Sequence, residues 1–354
     1  MVGTRRLLRG ERKAFFFEKK KQKTFDCFRL RPSRLKRAAS RKSFLVLFLN
    51  KELAFLGHQS THMNLGIALR GIFMVLSSLL PDSVAVITGG ASGIGLAAAK
   101  RFASRGLRVC IADIAEDRLV KAAGAIAGLS THGAGGVMTI VADVSRKEDL
   151  QALDEAVCHR FGGIDVLMNN AGVQPGSSIL GGKQNWEQVI GVNLWGVING
   201  TRILVPGMVA RGRPGFVINT GSKQGITTPP GDPAYNVSKA GLKAFTEALQ
   251  HELRNTPGCG LTAHLLIPGF VFTPLAAGNR SEKPDAAWTP EQTVEFMMDR
   301  LAAGDFYILC PDNDVTRALD EKRILWAAGD IVENRPALSR WHPDYAEKFK
   351  AFVG

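Results

Sequence analysis

Few features of this 354-residue chain fit a disulfide-stapled, metal-binding or repeat protein. Its five cysteines (Cys27, Cys110, Cys158, Cys259 and Cys310) form no CxxC pair and show no metal-ligand spacing. An odd, scattered set argues against a disulfide framework and fits reduced thiols, so a cytoplasmic location is expected. Cys110 and Cys310 lie in apolar, strand-like runs and are expected as small buried hydrophobes. Internal repeats are absent, and no Pro/Ser-rich linker interrupts residues 82–330, which points to one domain. The 45% hydrophobic content suits a soluble globular core.

Beyond its first 62 residues the chain also lacks net charge. The overall +13 resides in residues 1–62, where 17 Lys/Arg face 4 Asp/Glu. Taking these from the totals of 45 and 32 leaves 28 of each sign. No recognisable nucleic-acid module accompanies the basic segment, so no nucleic-acid partner is expected. Residues 1–81 read as a basic, poorly structured leader with an apolar segment at 64–80 that contains Arg70. A charge inside a span costs about 2.5–3.5 kcal/mol, so membrane contact is expected only if 64–80 acts as a weak anchor. An organelle-targeting presequence is a second reading, for which Lys19, Lys20 and Lys21 with Phe15, Phe16 and Phe17 are atypical. The favoured reading is an upstream extension outside the working protein, whose start would lie near Met63 or Met74.

From Ser83 short apolar runs alternate with amphipathic stretches. The runs Val84–Ile87, Leu107–Asp113, Val137–Val141, Asp165–Met168, Phe216–Thr220, Thr262–Ile267 and Phe306–Cys310 read as strands. Helices are expected at 94–105, 116–129, 146–161, 186–211, 235–254 and 290–302, the last with Thr289 as N-cap and Pro290 at its first position. This alternation predicts an α/β fold, a single Rossmann-type doubly wound parallel sheet with helices on both faces, over residues 82–311. Residues 312–354 are expected as a helical extension packing on the domain or a neighbouring subunit, with Val315–Gly329 helical and Trp341 and Tyr345 as packing residues.

A glycine-rich turn, Thr88-Gly-Gly-Ala-Ser-Gly-Ile-Gly95, follows the first strand. In that setting Gly89 permits the tight turn, Gly93 lets backbone approach a pyrophosphate, and Gly95 allows close helix packing; Ser92 and Ile94 lie between them. The helix that follows points its free N–H groups and positive dipole at the phosphates. Asp113 ends the second strand twenty residues after Gly93. A carboxylate there accepts hydrogen bonds from ribose hydroxyls and repels a 2′-phosphate, so NAD is expected over NADP. Ser92 and Ile114 stand where a cation would serve NADP, and Arg118 is expected on a solvated helix face.

Tyr235 and Lys239 are i and i+4 on one helix face, and Ser222 lies thirteen residues before the tyrosine. A phenol ionises near about pH 10, too high for an efficient base at neutrality. A neighbouring ammonium and a positive nicotinamide ring favour the phenolate, and a serine hydroxyl can hold the substrate oxygen. The set fits alcohol–carbonyl oxidoreduction.

Together these motifs resemble the classical short-chain dehydrogenase/reductase family, strongly over about residues 82–275 and more loosely to 311. The resemblance implies further roles. Asn169-Asn170-Ala171-Gly172 matches the motif that steadies the sheet and lines the adenosine side, and Asp143-Val144 the pair that contacts adenine. Asn193 matches a fourth catalytic residue, which holds a water linking the lysine to solvent. Pro268, Gly269, Val271 and Thr273 match the segment that binds the nicotinamide carboxamide. By this resemblance Tyr235 takes the alcohol proton while hydride passes to the nicotinamide, with no metal, in a homodimer or homotetramer built on the helices near 186–211 and 235–254. Lys223 departs from the small residue usual after the catalytic serine. Turned inward it would favour an acidic substrate; turned outward it is a solvated loop lysine.

The expected function is NAD-dependent interconversion of a secondary alcohol and a ketone. The alternatives are a 3-oxoacyl-thioester reductase and a catalytically silent NAD-binding sensor or scaffold. Substrate contacts are expected from the loops 174–186, 224–233 and 275–288, the last closing as a lid.

Overall fold

A computed structural model describes residues 80–181, 185–278 and 280–354. The leader, with nearly all of its apolar segment, lies outside the described residues. Strand β1 (Val84–Thr88) is buried throughout and runs through the glycine turn into α1 (Gly93–Ser104). The chain continues as β2 (Arg108–Asp113), α2 (Glu116–Ala127), β3 (Val137–Val141), α3 (Lys147–Phe161) and β4 (Val166–Asn169). Then come α4 (Trp186–Ala210), β5 (Gly215–Thr220), α5 (Gln224–Thr227), α6 (Pro233–Asn255) and β6 (Leu261–Ile267). It ends with α7 (Pro274–Ala277), α8 (Pro290–Ala302), β7 (Tyr307–Leu309), α9 (Arg317–Val332) and α10 (Ala346–Val353).

The seven strands form one parallel sheet in the order β3-β2-β1-β4-β5-β6-β7. Alternate side chains of each strand feed two cores. Ala85 and Ile87 pack with Phe102 of α1 and Met297 of α8. Val84 and Val86 pack with Leu150 of α3 and Leu204 of α4 on the other face. Burial on both faces explains why the strands read as unbroken apolar runs. Cys110 and Cys310 are fully buried in these cores, as their surroundings predict. Strand order reverses between β1 and β4, and the crevice beyond the carboxyl ends there is where such folds bind ligands.

Four local differences from the sequence reading matter for the site. Helix α4 contains a π-helical turn at Gly191–Trp195. Helix α6 starts at Pro233, because the Asp232 side chain accepts the Tyr235 N–H and Pro233 suits the first turn. The expected lid opens with the short helix α7, and its far end is pinned where Trp288 exchanges backbone hydrogen bonds with Phe270 and Phe272. In the extension the central packing residue is Trp326, covered by Phe349, Phe352 and the Arg335 guanidinium 4.1 Å above its ring. Trp341, by contrast, remains 39% exposed.

Candidate active site

The carboxyl ends of the strands open into a cavity of about 850 Å³. Among the sequence-predicted residues, Gly89, Ser92, Gly93, Ile94, Asp113, Asp143, Val144, Asn170, Ala171, Gly172, Ser222, Tyr235, Lys239, Pro268, Gly269, Val271 and Thr273 all line it. Gly95 and Asn193 do not, and local packing explains both. A Cβ on Gly95 would sit 2.3 Å from the Gly89 carbonyl, so this glycine lets α1 close on the turn behind the wall. The Asn193 amide spans the Val173 backbone, accepting its N–H at 2.8 Å and donating to its carbonyl at 2.9 Å. It is fully buried inside the π turn, a distortion frequent at functional sites.

The glycine turn fits a dinucleotide pyrophosphate. Gly89 and Gly93 have φ of +63° and +53°, and a Cβ on Gly93 would crowd Thr273 at 3.1 Å. Helix α1 has no side-chain cap at Ser92, and its first internal bond runs from the Leu96 N–H to the Ser92 carbonyl. The N–H groups of Gly93 and Ile94 are thus the free donors of a helix start, aimed at the cavity. Asn170 braces the turn by donating to the Thr88 and Gly89 carbonyls at 3.2 Å and accepting from the Thr220 hydroxyl. Its neighbour Asn169 is buried, donating to Asn219 at 2.9 Å between β4 and β5.

At the adenosine end Asp113 accepts the N–H groups of Ala91 and Ala115. Arg118 was expected on a solvated face. Instead it turns back to donate to Asp113 at 3.3 Å and lines the cavity, although its side chain is half exposed. The chain turns tightly from β2 into α2, which brings the first turn of the helix back over the strand end. Asp143 lines the same end, its carboxylate held by the Ser145 N–H and hydroxyl.

Ser222, Tyr235 and Lys239 meet where β5 and α6 converge. The Ser222 hydroxyl accepts the Gln224 N–H at 3.1 Å, and Lys239 Nζ donates to the Thr220 carbonyl at 2.7 Å. Nζ lies 5.6 Å from the Tyr235 ring centre. Burial pushes the Tyr235 phenol up to about 12; the Ser222 hydroxyl pulls it back and Asp232 pushes it further. Burial pushes the Lys239 ammonium down to about 8. At Tyr235 the lowering comes from Ser222 rather than from the lysine, and burial outweighs it.

Lys239 makes a stability prediction. Unfolded, the amine keeps its ordinary 10.5, so between about pH 8 and 10.5 the unfolded chain binds the extra proton. Stability contributed at this site therefore rises with pH through that window. Urea unfolding of the cofactor-free protein at several pH values is expected to show the wild type gaining on Lys239→Met from pH 8 upward. A flat or falling difference would contradict a buried, titrating amine.

Lys223 is neither solvated nor a free cation at the pocket. Its Nζ lies 3.2 Å from Asp312 Oδ2 and 2.6 Å from Asp320 Oδ2, the second a close charge contact rather than a well-angled hydrogen bond. Asp312 also accepts the N–H groups of Phe270 and Val315. The serine loop, the loop after β6 and the extension are thus joined by one cluster of charges. The extension itself contributes Asp312, Val315 and Arg323 to the cavity wall, which the sequence reading assigned to three other loops.

A Rossmann-type sheet with this cleft is the architecture of a nicotinamide-dependent oxidoreductase. The chain belongs to the short-chain dehydrogenase/reductase family: the family model described as short chain dehydrogenase matches residues 83–284. A 1-deoxy-11-beta-hydroxypentalenate dehydrogenase from Streptomyces avermitilis is 33% identical, over 70% of this chain and 91% of that one. A 3-oxoacyl-acyl-carrier-protein reductase from Thermotoga maritima is 35% identical over 64% of this chain and 85% of its own. Among solved structures, a Burkholderia phymatum short-chain dehydrogenase/reductase in complex with NAD superposes with a TM-score of 0.64. It is 29% identical and covers 72% of this chain and 96% of its own. The protein is an oxidoreductase of hydroxyl and keto groups that uses a nicotinamide cofactor.

Proposed function

We propose that the protein interconverts a secondary alcohol and its ketone with NAD, with Tyr235 as general acid and base. The observation that carries this reading is the convergence of Ser222, Tyr235 and Lys239 on the cavity that holds the unpaired start of α1 and Asp113. A bound nicotinamide supplies the hydride acceptor or donor. The chain supplies the rest. The Ser222 hydroxyl orients the substrate oxygen, and the Tyr235 phenol moves the proton on and off it. Lys239, anchored to Thr220 with its Nζ 5.6 Å from the phenol ring centre, places beside it a positive charge that favours the phenolate. Because Val173 holds both ends of the Asn193 amide, we assign that side chain to fixing the Gly172–Val173 segment beside Lys239.

Asp113 supports NAD, since its carboxylate lies at the adenosine end of the cavity and repels a 2′-phosphate. Arg118 beside it favours NADP as the second reading. An oligomer contact fits the outer faces of α4 and α6, where Trp195 and Val237 are about half exposed. The test is reduction of NAD by a panel of secondary alcohols and oxidation of NADH by the matching ketones, each repeated with NADP. Turnover with NAD preferred is expected. Binding of NAD without turnover of any panel member would instead favour the sensor reading, and a preference for NADP would overturn the assignment of Asp113. Efficient reduction confined to 3-oxoacyl thioesters would favour the reductase reading.

A further inference from the structure

The extension carries a cation into the substrate end of the cavity. Helix α9 rests against α5, directly after Ser222, and Arg323 from α9 lines the same cavity as Ser222 and Tyr235. Among the described residues no carboxylate forms an ion pair with Arg323, and its Nε is buried without a hydrogen-bond partner. Asp320 feels the Arg323 charge, but the ion-pair partner of both nearby acids is Lys223. Asp312 and Asp320 both face Lys223, and Asp312 further takes two backbone N–H groups. Arg340 adds a second guanidinium to the cluster: it stacks on Trp341 and Phe349 without an acidic partner among the described residues. Burial and the Arg323 charge hold Arg340 below its ordinary value. Lys223, Arg323 and Arg340 against Asp312 and Asp320 leave one positive charge unmatched. Glu187 also lines the cavity, where it is exposed to water and its charge is screened.

We propose that Arg323 binds a carboxylate of the substrate, so that the alcohol oxidised is a hydroxy acid and the ketone reduced is an oxo acid. This rests on the hydride-transfer reading above. A guanidinium presents paired donors that match a carboxylate, and the partly buried site strengthens the pairing. Fixing the carboxylate on α9 leaves the carbinol carbon to lie between Ser222, Tyr235 and the nicotinamide.

The test compares hydroxy acids with their methyl esters as substrates for the full chain with NAD. The wild type is expected to favour the acid in kcat/KM. Arg323→Gln is expected to lower the acid-to-ester ratio of kcat/KM by roughly 10–100-fold, mainly through KM, and Arg323→Lys to restore part of it. Unchanged thermal unfolding of both variants separates this effect from misfolding. Equal turnover of acid and ester, or an equal loss on both in Arg323→Gln, overturns the carboxylate site while hydride transfer stands. Absence of turnover with every acid and ester overturns both.

Discussion

Tyr235→Phe is expected to cut turnover of any alcohol or ketone substrate by about 100- to 10,000-fold while leaving NADH binding and the fold intact. The substitution deletes one oxygen and keeps the ring, which packs with Val189 and Ala234 under partial cover of Val173 and Trp186. The ring face toward Lys239 Nζ is likewise kept. What disappears is the group proposed to take the alcohol proton as hydride leaves. The size of the loss is that of removing a positioned general acid–base group, here a phenol that burial pushes up to about 12. A phenol held that high needs the positive charge of a bound nicotinamide in addition to that of Lys239 to act as a base near neutrality, so proton transfer is expected to be coupled to a loaded site. Steady-state kinetics on wild type and variant, with NADH binding followed by fluorescence, separates the outcomes. Loss of both binding and turnover would make Tyr235 a structural residue. Unimpaired turnover would remove it from the chemistry.

The second large effect concerns the cofactor. Asp113→Ser is expected to lower kcat/KM for NAD by roughly 10–100-fold and to raise that for NADP, inverting the preference. Serine removes the charge proposed to accept ribose hydroxyls and repel a 2′-phosphate. It also releases Arg118, whose guanidinium is 3.3 Å from the carboxylate and already at the cavity wall. A free arginine at this end is the cation an NADP site requires. A serine oxygen can retain one of the two backbone N–H bonds to Ala91 and Ala115, so the turn is expected to survive, which thermal unfolding checks. Equal losses with both cofactors would mean that Asp113 serves as a turn brace and does not choose the cofactor.

The parts of this site that the sequence displays are those built by neighbours in the chain. The run from β1 through Gly89 and Gly93 into α1 is one local unit, and Tyr235 with Lys239 is one helical turn. Their spacing carries the geometry directly. The start of α6 was equally readable in Asp232-Pro233, an N-cap followed by a first-turn proline, although the helix was expected two residues later. The Lys223 cluster is different. Asp312 lies 89 residues from Lys223 and meets it only because β6 and β7 pair beside β5 at the sheet edge, an arrangement that no periodicity encodes. Arg118 was misplaced for a related reason: helical spacing shows which face a residue occupies, but not how tightly the preceding turn folds that face onto a strand end. The π turn around Asn193 leaves no mark in the sequence pattern, because a single i→i+5 distortion barely shifts the apolar period of a long helix.

The central claim is direct hydride transfer between the substrate carbinol carbon and the nicotinamide. It is tested by incubating the protein with NAD and secondary alcohols deuterated at the carbinol carbon, then weighing the recovered NADH by mass spectrometry. The predicted result is one deuterium in each reduced nicotinamide formed. Reduced cofactor without label, or alcohol consumed with its deuterium released to water, would contradict it.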